Sequence, residues 1–280
     1  MREVLEAVLK AEVAGEPAAL VTVVSTRGST PQKAGARMLV HGDGRIVGTI
    51  GGVCLEAEMT RRARQAIVDR RAELTSYDLT PQEAGEDGLV CGGRMQVFIE
   101  PIEGTPVLCL FGAGHVAQPL SRMARACGFR VEVADDRAKF ANADRFPDAD
   151  LLVVDDFPGA ATRMTLGPNT YAVVVTRGHQ GDAVALEAVL QHDLRFVGLL
   201  GSRTKIVHIF AALAERGVSA ERLATVHAPL GLKIGSQTPE EIAVSILAEM
   251  IAVRRGVDPS QSGSMKMAMP GRLKPDDTAR

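Results

Sequence analysis

Tryptophan is absent from these 280 residues, and only 4% of them are aromatic. Cysteine is nearly as scarce. Cys54, Cys91, Cys109 and Cys127 lie far apart, without the C-x-x-C pairing of a zinc site or the density of a disulfide scaffold, so reduced thiols are expected. No apolar run approaches the ~18 to 20 residues of a membrane span, and Met1-Arg2-Glu3-Val4 lacks a signal peptide's basic-then-apolar layout. A cytoplasmic protein is expected. Nor does charge of one sign dominate: 32 Lys and Arg against 34 Asp and Glu give a net charge of -2, leaving no whole-chain basic field for nucleic acid.

What is present is a globular composition, 46% hydrophobic and 24% charged, in a length that suits two domains of roughly 100 to 200 residues each. Val4, Leu5, Val8 and Leu9 recur at helical spacing, Gly15 and Pro17 stop the helix, and a β-branched run follows over 19–24. Gly42-Asp43-Gly44 between apolar strands signals a hairpin, and an Ala-, Glu- and Arg-rich helix is predicted over 53–69. Short strands are predicted over 74–79 and 96–100, and 101–106 reads as a linker. Thereafter strands alternate with helices of about a dozen residues, the pattern of a doubly wound parallel sheet. Thr238-Pro239-Glu240-Glu241 opens a last helix, to about Arg255, with a capping box and Pro at its first position. The fold class is therefore α/β: an N-terminal α+β domain over 1–103, a doubly wound Rossmann-like domain over 104–256, and a disordered tail over 257–280.

Gly112-Ala113-Gly114-His115-Val116-Ala117 follows a predicted strand and opens a predicted helix, matching G-x-G-x-x-A. The first Gly permits the tight turn, and the second lets a pyrophosphate approach the backbone at a helix N-terminus. Asp135 lies about 20 residues beyond, where an acid bonds a ribose hydroxyl, and Asp136 could serve instead. Any ligand with a pyrophosphate and a ribose meets these requirements, NAD(P) being the commonest. Arg177-Gly178-His179 and Gly201-Ser202-Arg203 also follow strands, so they extend the same crevice. His41, His192, His208 and His227 read as surface or internally satisfied residues.

Arg27, Ser29, Thr30, Lys33 and Arg37 concentrate anion-binding donors around one Gly-rich turn. Cys54 follows Gly51-Gly52 at a predicted helix start, where backbone N–H groups stabilise a thiolate, and Cys91 precedes Gly92-Gly93 in a loop. A nucleophilic or metal-binding sulfur is expected at one or both. Cys109, inside a strand, and Cys127, at a helix end, read as small hydrophobes.

Together these segments resemble the XdhC/CoxI family, the xanthine dehydrogenase accessory proteins. The resemblance covers nearly the whole chain up to Gly256 and rests on Ser29-Thr30-Pro31 to Arg37, Gly48-Thr49-Ile50-Gly51-Gly52-x-Cys54-x-Glu56, Cys91-Gly92-Gly93, the Gly112 turn with Asp135-Asp136-Arg137, Thr176 to His179, Gly201 to Arg203, and Ile234-Gly235 through Ala243. One departure is Val53, where family members commonly carry a third Gly before the Cys. The resemblance implies a non-catalytic or weakly catalytic maturation factor, a homodimer that binds molybdenum cofactor as molybdopterin or its cytosine dinucleotide form. Such a factor protects the cofactor while a cysteine desulfurase exchanges an oxo ligand for sulfur, then delivers it to a molybdenum hydroxylase.

On that reading the cofactor is held by Arg27, Ser29, Thr30, Lys33, Arg37, Cys54, Glu56, Cys91, Gly112, Gly114, His115, Asp135, Arg177, His179, Ser202 and Arg203, with Cys54 and Cys91 toward the metal. The alternatives are an NAD(P)-dependent oxidoreductase, for which only His179 or His115 could supply the acid or base, and a persulfide-carrying sulfurtransferase. Because ligand sites favour domain interfaces, the cationic loop is expected to face the Rossmann crevice across one shared site.

Overall fold

The computed structural model describes residues 1–79 and 93–261. Its first unit is a five-stranded antiparallel sheet with a helix on each face. Helix α1 (Arg2–Ala14) ends at Gly15, whose left-handed φ of 68° closes its last turn. Strands β1 (Ala18–Arg27), β2 (Arg37–His41) and β3 (Ile46–Gly48) follow, then α2 (Val53–Asp69), β4 (Glu73–Asp78) and β5 (Arg94–Ile102), in the order β3-β2-β1-β5-β4. The period of two sorts the strands: Ala19, Val21, Met38 and Val40 pack under α2, while Ala18 and Leu39 pack under α1. Each such side chain, when fully buried, contributes roughly 1.5 to 3 kcal/mol if it is of Val or Leu size.

The second unit is a six-stranded parallel sheet: β6 (Val107–Phe111), β7 (Arg130–Asp135), β8 (Leu151–Val154), β9 (Thr170–Val174), β10 (Phe196–Leu199) and β11 (Val226–His227). Its order, β11-β10-β9-β6-β7-β8, places the topological switch between β6 and β9. Helices α3 (Ala117–Ala126) and α8 (Pro239–Arg254) cover one face. Helices α4 (Phe157–Arg163), α5 (Gly178–Val189) and α6 (Arg203–Glu215) cover the other, with short α7 (Ala220–Ala224) beyond them. The capping box forms as expected: Thr238 Oγ1 accepts from Glu241 N at 3.2 Å, and Glu241 Oε2 accepts from Thr238 N at 3.1 Å.

Two expectations change. Strand β5 runs on to Ile102, because Ala18 and Ala19 pair with Ile102 and Pro101, so the connection between the units shrinks to 103–106. Helix α5 starts at Gly178 rather than near Asp182, whose side chain turns back onto Thr176. Of the tail, Pro259–Gln261 forms a 3-10 turn, and 262–280 lie outside the described residues.

The units meet at the amino ends of the parallel strands. Asn169 Nδ2 donates to Gly104 O at 2.5 Å, Arg70 Nη2 to Pro168 O at 3.2 Å, and Arg195 Nη1 lies 3.5 Å from Glu103 Oε1. On the first unit this contact uses the start of β1 and the end of α2.

Candidate functional site

In the first unit the chain brings three segments to the end of the sheet remote from that contact. Residues Arg27 to Gln32 leave β1, Gly51-Gly52 enter α2, and Gly93 begins the return into β5. They touch: a Cβ on Gly51 would lie 2.9 Å from Pro31 Cβ, and one on Gly93 would overlap the Ser29 carbonyl. Gly51 and Gly52 both have φ of 86°, which favours glycine, and they turn the chain into the helix. Glu56, on the first turn of α2, bonds Thr49 Oγ1 and accepts from Gly51 N at 3.2 Å, so its carboxylate braces this turn. Val53 stands 81% exposed at the first helical position, so the departure from a third glycine leaves the helix start intact.

Cys54 follows with an exposed thiol on the same turn. Arg27, Ser29 and Lys33 are exposed on the loop whose Pro31 and Gln32 abut Gly51, and Thr30 Oγ1 donates to Gln32 O at 2.9 Å. Arg37 departs from this group. Strand alternation puts it on the α1 face, where Nη1 lies 3.6 Å from Met1 Sδ. Cys91 lies outside the described residues. Among the described residues no three His, Cys, Asp or Glu side chains converge to chelate a metal ion.

In the second unit Gly112, Thr176 and Gly201 stand at the carboxyl ends of β6, β9 and β10. Gly112 has φ of 110°, and a Cβ on it would come within 2.5 Å of Val175 O. Packing alone requires that glycine. Gly114 differs, since a Cβ there would meet nothing within 4 Å. His115, Arg177, His179, Ser202 and Arg203 are all exposed along this edge, with Arg177 and Ser202 capping α5 and α6.

Asp135, expected to bond a ribose, faces inward in this structure. Only 1% exposed, it accepts from Ala113 N at 2.8 Å and from Arg137 Nε and Nη2 at 2.7 and 3.0 Å. Burial opposes its charge, but the bonds from Arg137 and Ala113 outweigh it and hold the carboxyl below the usual range. The exposed acid at this strand end is Asp136.

Sequence reasoning missed Lys205 as a site residue. Its ammonium pairs with the fully buried Asp182, whose Oδ1 accepts from Thr176 Oγ1 at 2.6 Å, forming a Lys-Asp-Thr chain below the crevice. The clue was Asp182 three residues after His179 and Lys205 three after Ser202. His227 bonds Glu249 at 2.8 Å, whereas buried His41 lies 3.4 Å from Glu16 and its Nδ1 makes no hydrogen bond among the described residues. Cys109 is buried against Glu132, and burial foremost, then that carboxylate, raises its thiol well above the ordinary range, so it stays an inert thiol.

The two groups do not face each other within one chain. The 17 residues of α2 separate Cys54 from the interdomain contact by about 25 Å, and the parallel strands carry the Rossmann turn about 15 Å beyond it on the other side. The single shared crevice expected from the sequence is thereby corrected. The connection joins the two units at their inner ends, while both sets of ligand-type residues sit at the outer ends.

Residues 108–250 match the XdhC Rossmann domain and residues 11–78 match the XdhC and CoxI family. The chain is 37% identical to the uncharacterized protein YqeB of Escherichia coli (strain K12) over 85% of its own length, yet it spans only 44% of that protein. It is 26% identical to a probable xanthine dehydrogenase subunit of Bacillus subtilis (strain 168), covering 86% of this chain and 94% of that one. It is 25% identical to the molybdenum cofactor insertion chaperone PaoD of Escherichia coli (strain K12), covering 90% and 88%.

Proposed function

The chain belongs to the XdhC and CoxI family, and from that premise we propose that it is a maturation factor for a molybdenum hydroxylase. It binds molybdenum cofactor, shields it while a cysteine desulfurase supplies the sulfur that replaces an oxo ligand, and hands it to a xanthine dehydrogenase-type client. Similarity to a molybdenum cofactor insertion chaperone supports this reading. The observation that carries it is the exposed Cys54 thiol on the first turn of α2, beside a loop of hydroxyls and cations.

That pairing suits a ligand with a soft metal–sulfur centre at one end and a phosphate at the other. The α2 N-terminus adds positive potential, and Glu56 keeps the turn rigid. Gly114, open where Gly112 is packed, leaves room for the pyrophosphate of a dinucleotide form at the start of α3. Because these two places lie at opposite ends of one chain, a single dinucleotide cofactor spans them only between two copies. A homodimer with the outer end of one chain against the Rossmann edge of the other completes the site.

Cys54→Ser tests the thiol. After anaerobic purification from a molybdenum-replete host, the variant should melt within about 1 °C of wild type and retain several-fold less molybdenum, as expected for loss of a surface donor. Equal molybdenum in both proteins would remove Cys54 from the site.

A further inference from the structure

The contact between the units borders an open cleft of about 860 Å³, lined on one side by residues 69–72 and on the other by Arg195 and residues 253–256. Arginines dominate it. Arg70, Arg71, Arg254 and Arg255 make no ion pair with any carboxylate among the described residues, and Arg195 has only a 3.5 Å contact with Glu103. Asp69, Glu100 and Glu103 also line the cleft, so five cations stand against three carboxylates and an excess of two positive charges remains. Asp69 already accepts from Gln65 at 2.9 Å.

Two details show that this crowding is not incidental. Arg70 occupies the left-handed cap of α2 with φ of 51°, a conformation that favours glycine, and it is the only non-glycine with positive φ among the described residues. Its side chain reaches across the contact to Pro168 O at 3.2 Å. Burial foremost, and then the Arg195 charge facing it, pull its guanidinium below the ordinary range, so like charges meet across the cleft. Arg195 is 8% exposed and donates to Arg254 O at 2.7 Å, which fixes it in place. Behind it the Tyr171 hydroxyl is buried without a hydrogen-bond partner among the described residues, and burial pushes its ionisation up to about 12.

We propose that this interdomain cleft binds a small oxyanion of the phosphate class, held by Arg70 from the first unit and by Arg195 and Arg254 from the second. Guanidinium groups bind phosphate oxygens in forked pairs, and an anion here would neutralise the excess charge. It would also tie the two units together, adding to the Arg70 to Pro168 and Asn169 to Gly104 bonds already at the contact. The site is separate from both Cys54 and the Gly112 turn.

Inorganic pyrophosphate is the probe, titrated calorimetrically into the full chain at low salt. A Gly114→Val background closes the Rossmann turn to the same probe, and the open space around Gly114 lets that variant fold. Saturable binding should persist in this background and raise the melting temperature. Adding Arg70→Gly should weaken it at least tenfold, while the ligand-free protein melts no lower, since glycine fits the left-handed cap. Absence of saturable binding in the Gly114→Val protein, or unchanged affinity after Arg70→Gly, would overturn the proposal.

Discussion

At the scale of single residues, the two fingerprint glycines have different reasons to be glycine. A side chain on Gly112 collides with the Val175 carbonyl, whereas one on Gly114 meets only solvent. Gly112→Ala should therefore lower stability by about 2 kcal/mol or more, seen as a shifted denaturant midpoint. Gly114→Ala should unfold within about 0.5 kcal/mol of wild type, yet Gly114→Val should bind nucleotide ligands more weakly. If both positions tolerate alanine equally, the distinction drawn from packing is wrong. Position in the motif identified both glycines from sequence, but not which one packing already requires, because that depends on β9 lying against the turn from 60 residues away. Asp135 shows the same limit. Its spacing is that of a ribose ligand, and only the folded chain reveals that Ala113 N and Arg137 use both its oxygens.

At the scale of elements, strong local signals were legible and tertiary ones were not. The bounds of α2, the capping box of α8 and the β6 turn follow from composition, spacing and cap chemistry, and the structure keeps them. Helices α4, α6 and α7 carry weaker signals, and sequence reasoning passed over them; α4 is only seven residues long. Arg37 sat beside the cationic loop in sequence, but one step of strand alternation turns it to the opposite face of the sheet. Helix α2 also carries a pH-dependent tie. Glu58 accepts from Arg61 and Arg62, which lower its carboxyl to about 2, and Arg62 in turn donates to Glu73 on β4 at 2.5 Å. A carboxyl whose folded value lies below its unfolded value stabilises fully above about pH 5 and loses that contribution as pH falls toward 2. With 28% of the side chain exposed, screening leaves about 1 kcal/mol. Glu58→Gln should lower stability by about that amount at pH 7 and not at pH 2. Parallel stability curves for the two proteins from pH 7 to 2 would show that the tie contributes nothing.

At the scale of the whole molecule, two units of distinct architecture meet at their inner ends and present ligand-type residues at their outer ends. Sequence reasoning identified both architectures, but the linker's place relative to the two sheets is a fact of three-dimensional packing, with no motif to announce it. No helix among the described residues is long and apolar enough to cross a membrane. On the proposed reading, cargo binds between two copies, and the arginine cleft lies apart from that site, at the contact between the units of one copy. The most direct measurement is reconstitution: the protein, purified anaerobically with its bound cofactor, is mixed with a cofactor-free xanthine dehydrogenase-type hydroxylase, and hydroxylase activity is followed with time. Activity should rise in proportion to the molybdenum supplied on the protein, and the Cys54→Ser and Gly114→Val proteins should supply less. Purification without any molybdenum cofactor from a replete host, together with no gain in hydroxylase activity, would contradict the account.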